Sequence, residues 1–167
     1  MASKYSIPEV YSDYRALIES DSIQAVVVST PDDLHHPMAI AAIDAGLHVL
    51  CEKPMALNAA HAAEMTSGAE AAGVKHMVLF THRWMPHIRY LLELIEEGYV
   101  GRCYECSFRF AGGYARDTNY HWKWDRQRGL GVLGDLGSHM IDLAHLCVGD
   151  VARVSDSLPT LYQRDGV

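Results

Sequence analysis

The stretch HVLCEKPMAL at residues 48–57 decides how the rest of the chain is read. Val49, Leu50 and Cys51 suit a strand buried inside a parallel sheet, and they run without a polar lead-in straight into Glu52, Lys53 and Pro54. An acid and a base placed abruptly after an apolar strand pose a functional question, and the flanking sequence supplies the frame for it. On the N-terminal side, SDYRALIES predicts a short amphipathic helix and IQAVVVST a β-branched strand of the kind covered on both faces. HHPMAIAAIDAG has Pro37 in its first turn and Gly46 after its last, the asymmetry of a helix start and stop. On the C-terminal side, Asn58 caps an alanine-rich helix ending at Gly73, VKHMVLF is a third strand, and PHIRYLLELIEEG is a helix closed by Gly98.

The order α-β-α-β-α-β-α predicts an α/β fold: a parallel sheet with helices packed on it through right-handed crossovers. All strands of such a sheet end on one edge, and that edge binds ligands. The three strand ends carry Thr30-Pro31-Asp32-Asp33, Glu52-Lys53-Pro54 and Thr81-His82-Arg83-Trp84. Any one of these is an ordinary solvated loop; polar clusters after all three strands point to a site.

Composition narrows the partners. The 167 residues are 49% hydrophobic, enough for a real core, and carry 14 basic against 21 acidic side chains, a net charge of −7. There is no basic run to follow a phosphate backbone, so nucleic acid is not the expected partner. No segment approaches the roughly 18 unbroken apolar residues of a membrane span, and MASKYSIPEV has no signal-peptide core, so a soluble cytoplasmic protein is expected. Ten histidines and four cysteines raise the question of a metal. Cys103 and Cys106 form a single C-x-x-C in a segment that reads as a strand, where residues three apart face opposite ways, and the histidines show no H-E-x-x-H frame. No metal site is expected.

From Val100 the texture becomes aromatic and polar, with Trp122 and Trp124 alternating, which suits an antiparallel strand and a substrate-side loop. A second domain is expected to begin here, at about residue 101. Gly129, Gly131 and Gly134 satisfy G-x-G-x-x-G, but HWKWDRQR rather than a strand precedes them, so they are not read as a phosphate turn. If residues 135–148 are helical, Leu136, Met140, Leu143 and Cys147 make the core stripe. Asp135, His139 and Asp142 then share another face, open to two readings: a capping Asp135, a solvated Asp142 and a structural His139, or an Asp135 that orients the imidazole for proton transfer.

TPDDLHHPMAIAAIDAGLHVLCEKPMAL closely resembles the T-P-x-x-x-H and E-K-P signatures of the glucose-fructose oxidoreductase and inositol dehydrogenase (Gfo/Idh/MocA) family, and GVLGDLGSHMIDL resembles its D-x-G-x-H-x-x-D segment. The resemblance covers residues 11–157. It implies a partial Rossmann-type dinucleotide-binding domain for NAD or NADP over residues 1–100, joined over residues 101–167 to part of a mostly antiparallel sheet domain that forms the substrate pocket. By motif position, Thr30, Pro31 and His35 would lie along the cofactor, Glu52 near the nicotinamide ribose, and Lys53 beside the reacting carbon; Arg83 would also contact the cofactor. Asp135 and His139 would complete the catalytic group with Lys53, His139 taking the hydroxyl proton. Thr81 stands where the family frequently has Asn.

The implied activity is hydride transfer between NAD or NADP and a sugar, cyclitol or related alcohol, by a protein forming a homo-oligomer at full length. The alternatives are a nicotinamide-dependent glycosidase keeping the same lysine and histidine, and a non-catalytic remnant. Within these residues the Gly-rich phosphate turn and the ribose-selecting acid of the family have no counterpart, so the chain reads as an internal fragment that is inactive, and a poor binder of NAD, in isolation.

Overall fold

The computed structural model describes residues 2–113 and 119–157. Residues 114–118 of the aromatic loop and residues 158–167 at the end of the expected substrate domain lie outside the described residues. Two compact units divide the chain: Met1–Thr30 with Leu34–Val78, and Pro31–Asp33 with Leu79–Val167.

The first unit is built on the sequence pattern just described. Helix α1, Tyr14–Ile18, is capped by Asp13, whose carboxylate accepts the Arg15 N–H at 2.9 Å. Strands β1 (Ala25–Val28), β2 (His48–Glu52) and β3 (His76–Leu79) form a sheet in that order, with β2 central. β1 and β2 run parallel, with Ala25 opposite His48 and Val28 opposite Cys51. Helix α2, His35–Asp44, makes the crossover between them, and Gly46 at φ 73° turns the chain back. Helix α3, Ala59–Ala72, connects β2 to β3; Asn58 accepts the His61 N–H at 2.9 Å, and Gly73 closes it at φ 66°. Val28, Val49 and Cys51 from the sheet pack with Ala39, Ala42 and Ile43 of α2 and Met65 and Ala69 of α3. The alanines let the helices approach closely, so this core is short-sided and apolar.

The second unit contains a 3-10 turn at Thr81–Trp84, then helix α4, Pro86–Glu96, with proline in its first turn and Gly98 beyond its end at φ 77°. A further 3-10 turn spans Trp122–Trp124, and a π-helical turn at Leu133–Gly137 leads into α5, Ser138–Val148. Among the described residues there is no strand from residue 101 onward. That corrects two expectations, the strand at RCYECSFRF and the alternating tryptophans as strand residues; the antiparallel sheet itself is not seen. A strand exists only as one side of a hydrogen-bonded ladder, and residues 102–110 have no such neighbour among the described residues, whatever their alternation.

The glycine pattern at residues 129–134 has a packing cause. A Cβ on Gly129 would sit 2.9 Å from the Lys123 carbonyl oxygen, Gly131 adopts φ 62°, and Gly134 is buried.

Candidate active site

Parallel pairing of β1 and β2 fixes the first half of the site. With Val28 opposite Cys51, Thr30 and Lys53 emerge from adjacent strands at the same edge of the sheet. Their surroundings are held by His35, which is 1% exposed. One ring nitrogen, Nδ1, lies 2.8 Å from the Pro54 carbonyl oxygen, and Nε2 lies 2.9 Å from that of Thr30. The imidazole therefore ties the end of β1 to the turn after Glu52-Lys53, where the peptide before Pro54 is cis. Glu52 accepts the Lys53 N–H on its own carboxylate at 3.1 Å, which bends that side chain back over the turn. The Thr30 hydroxyl is buried with no hydrogen-bond partner among the described residues. A buried hydroxyl in that condition is costly unless a ligand meets it.

The second unit holds Pro31, Arg83, Asp135 and His139. His139, 6% exposed, lies in the first turn of α5 and stacks on His82, ring centroids 3.9 Å apart and planes within 14°. Phe80 meets it edge-on at 6.0 Å. Arg83 grips Asp142 with both arms of its guanidinium, Nε donating at 2.7 Å to Oδ2 and a terminal nitrogen donating to Oδ1. The hydrogen bond to Asp142, and behind it the attraction of the charge, raises the Arg83 pKa above its ordinary value despite the opposing effect of burial. Asp142 is thus buried at 8% exposure and paired, not solvated. His139, Asp142 and Leu143, spaced i, i+3 and i+4, lie together on the buried side of α5.

Asp135 sits in the π-helical turn rather than at the helix cap, which is Gly137, and its Oδ1 accepts from Lys123 Nζ at 2.8 Å. Asp33 accepts from Arg128 at 3.2 Å, and this bond, followed by one to Tyr120, raises the Arg128 pKa. Sequence reading placed His82 in a strand-end cluster and Asp142 on the face of His139, but did not single out Lys123. The position of His82 beside Arg83 at a strand end was a usable signal; the partnership of Lys123 with a residue across an aromatic loop was not. Among the described residues, no cluster of three or more His, Cys, Asp or Glu side chains has the geometry of a metal site.

Residues 1–80 match the family described as "Oxidoreductase family, NAD-binding Rossmann fold", and residues 88–167 match the "GFO/IDH/MocA C-terminal domain". The chain belongs to the Gfo/Idh/MocA family. It is 33% identical over 162 residues to levoglucosan dehydrogenase of Pseudarthrobacter phenanthrenivorans, covering 95% of this chain and 42% of that protein. It is 32% identical to a scyllo-inositol 2-dehydrogenase (NADP(+)) of Bacillus subtilis over 80% of this chain and 37% of the relative. A levoglucosan dehydrogenase structure in complex with NADH and levoglucosan superposes with a TM-score of 0.79 at 31% identity, covering 89% of this chain and 41% of that one. The chain spans about two fifths of the length of these Gfo/Idh/MocA relatives.

Proposed function

We propose that this chain carries the reacting-carbon side of an NAD- or NADP-dependent dehydrogenase acting on a sugar, cyclitol or related polyol. The observation that carries the reading is the shared edge: Thr30 and Lys53 leave neighbouring parallel strands side by side, where open α/β sheets bind ligands. The donor set fits a nicotinamide nucleotide. A buried, unpartnered Thr30 hydroxyl, the Glu52 carboxylate and the Lys53 ammonium are groups that meet ribose hydroxyls and a reacting alcohol. Pro31 and Arg83 complete the cofactor-facing set, and His35 serves it through the Thr30 and Pro54 carbonyls that it holds.

When bound, the nicotinamide accepts the hydride from the alcohol carbon. His139 takes the hydroxyl proton, a task for which an imidazole of reference pKa about 6.5 is suited near neutral pH. Lys53 stabilises negative charge growing on the alcohol oxygen, and Asp135 orients the imidazole. Residues 1–100 act as the dinucleotide domain and residues 101–167 as part of the substrate domain. A cytoplasmic homo-oligomer is part of the same proposal, on the strength of the family resemblance.

The test is formation of reduced cofactor from a panel of sugars and cyclitols, followed by absorbance, for the chain alone and for the chain preceded by the phosphate-binding segment of levoglucosan dehydrogenase. Substrate-dependent reduction that is lost in Lys53→Met supports the reading; product formed without net reduced cofactor turns it toward the glycosidase chemistry.

A further inference from the structure

Lys123 is held by its own loop before it meets any partner. In the 3-10 turn Trp122–Trp124 its N–H donates to the His121 ring at 3.2 Å. Behind it the chain folds around Asp125: the carbonyl accepts the Arg128 and Gly129 N–H groups at 2.9 and 2.8 Å, the carboxylate accepts the Gln127 N–H at 2.9 Å, and the Tyr120 hydroxyl donates to it at 3.1 Å. Gly129 then closes on the Lys123 backbone so tightly that a Cβ would stand 2.9 Å from its carbonyl oxygen and 3.1 Å from its Cα. From this fixed seat Nζ reaches Asp135 Oδ1 at 2.8 Å, with the Asp135 side chain only 13% exposed and Lys123 34%.

An exposed ion pair between two free side chains contributes little, because each must be ordered to make it. Here the loop has already ordered the lysine backbone, so the bond from Nζ to Asp135 Oδ1 has only the side chain left to order. Asp135, within the π-helical turn, lies four residues ahead of His139 in the first turn of α5.

We propose that Lys123 is a positioning residue of the catalytic group: its ammonium holds the Asp135 carboxylate ionised and in one orientation ahead of His139. The inference rests on the dehydrogenase reading and adds to it a cation and a reason for Gly129. An adjacent ammonium favours the charged carboxylate, so Asp135 acts as an acceptor and the proton from the alcohol stays on His139. The contribution belongs to the reacting state, when the imidazole becomes charged, and not to cofactor binding.

The experiment measures kcat and KM for substrate and cofactor in Lys123→Met and Lys123→Arg, in whichever preparation described above turns over, with circular dichroism to verify folding. Lys123→Met is expected to lower kcat by roughly 10-fold or more with the cofactor KM changed less than about 2-fold, and Lys123→Arg, which keeps a donor and a charge, to recover most of the loss. Folded Lys123→Met with kcat within about 2-fold of the parent, or a loss that the arginine does not repair, overturns the assignment of Lys123 and leaves the dehydrogenase reading intact. Absence of turnover in the parent itself removes the reading and this proposal together. Asp135→Asn supplies the second arm: if Lys123 works through Asp135, adding Lys123→Met to it causes little further loss, whereas multiplying losses count against the proposal.

Discussion

The two units of the chain are held together by different forces. In the first, the fully buried side chains are almost all apolar: Val28, Ala39, Ile43, Val49, Met65 and their neighbours form one cluster, with His35 the polar member. In the second, Leu143 is the one fully buried aliphatic side chain among the described residues, and the other buried side chains are Asp32, His139 and Asp142. Ion pairs stand in for a core there, joining Arg83 to Asp142, Lys123 to Asp135 and Arg128 to Asp33. A unit built on apolar burial is rigid at little cost to itself, while a unit built on paired charges places reactive groups accurately and is damaged whenever one partner is removed.

The sharpest test of that division uses one residue from each unit. Lys53→Met and His139→Asn are each expected to lower kcat by roughly 10²- to 10⁴-fold, the range for a positioned acid-base group, with both variants folded. Steady-state kinetics and circular dichroism on each variant decide it. The double variant should lose little more than the worse single one, because groups that act as a unit are not additive. Near-normal kcat in a folded Lys53→Met protein would confine the chemistry to the second unit.

Stability supplies the next comparison. Ile43→Ala, in the apolar core of the first unit, is expected to cost about 3 kcal/mol by urea unfolding, the usual result of a large-to-small change where helices cannot close the gap. Arg83→Met in the second unit is expected to cost about 2 kcal/mol, because it strands a buried carboxylate, with the solvent exposure of the arginine moderating the loss. The two should respond differently to a second change. Asp142→Leu added to Arg83→Met should restore much of the stability, since the penalty lies in the unpaired charge, whereas no single repair of that kind exists for Ile43→Ala. Failure of the restoration would mean that the pair is no more than a surface contact.

The same contrast accounts for what could be read from the sequence. Helix starts at Asn58 and Pro86, stops at Gly46, Gly73 and Gly98, and the three strands are local signals, each complete within a few residues, and these elements formed where they were expected. So did the shared edge of Thr30 and Lys53, which follows from parallel strands alone. The ion pairs of the second unit join residues 12, 59 and 95 positions apart, and nothing in the periodicity of one partner names the other. Helical spacing put Asp135, His139 and Asp142 on a common face; Leu143 of the apolar stripe is buried as expected, and Asp142 is buried beside it because Arg83 meets it. The strand expected at residues 102–110 failed for a related reason, since alternation describes a face and says nothing of whether a neighbouring strand is present to pair with it.

Cysteine chemistry gives the smallest and most local of these contrasts. Cys51 is buried at 3% exposure in the apolar core, Cys103 and Cys106 are exposed, and Cys147 on α5 is half-buried. Burial first, and the neighbouring Cys106 second, raise the Cys147 thiol above its ordinary pKa of 9.0. Alkylation at pH 8 should therefore modify Cys103 and Cys106 first and Cys147 more slowly, since the thiolate is the reacting form, while Cys51 should stay protected until the first unit unfolds. The shift also has a sign for stability. Below about pH 9 the thiol is protonated in folded and unfolded chains alike and its contribution is intact; as pH rises through the raised folded value, the unfolded chain gives up its proton more readily and that contribution is lost. Cys147→Ser should make the alkaline fall in unfolding free energy shallower and leave neutral-pH stability nearly unchanged. If Cys147 is alkylated as fast as Cys103, α5 is looser than its buried face requires, and the second unit's polar pairs do not hold it as firmly as the apolar core holds the first.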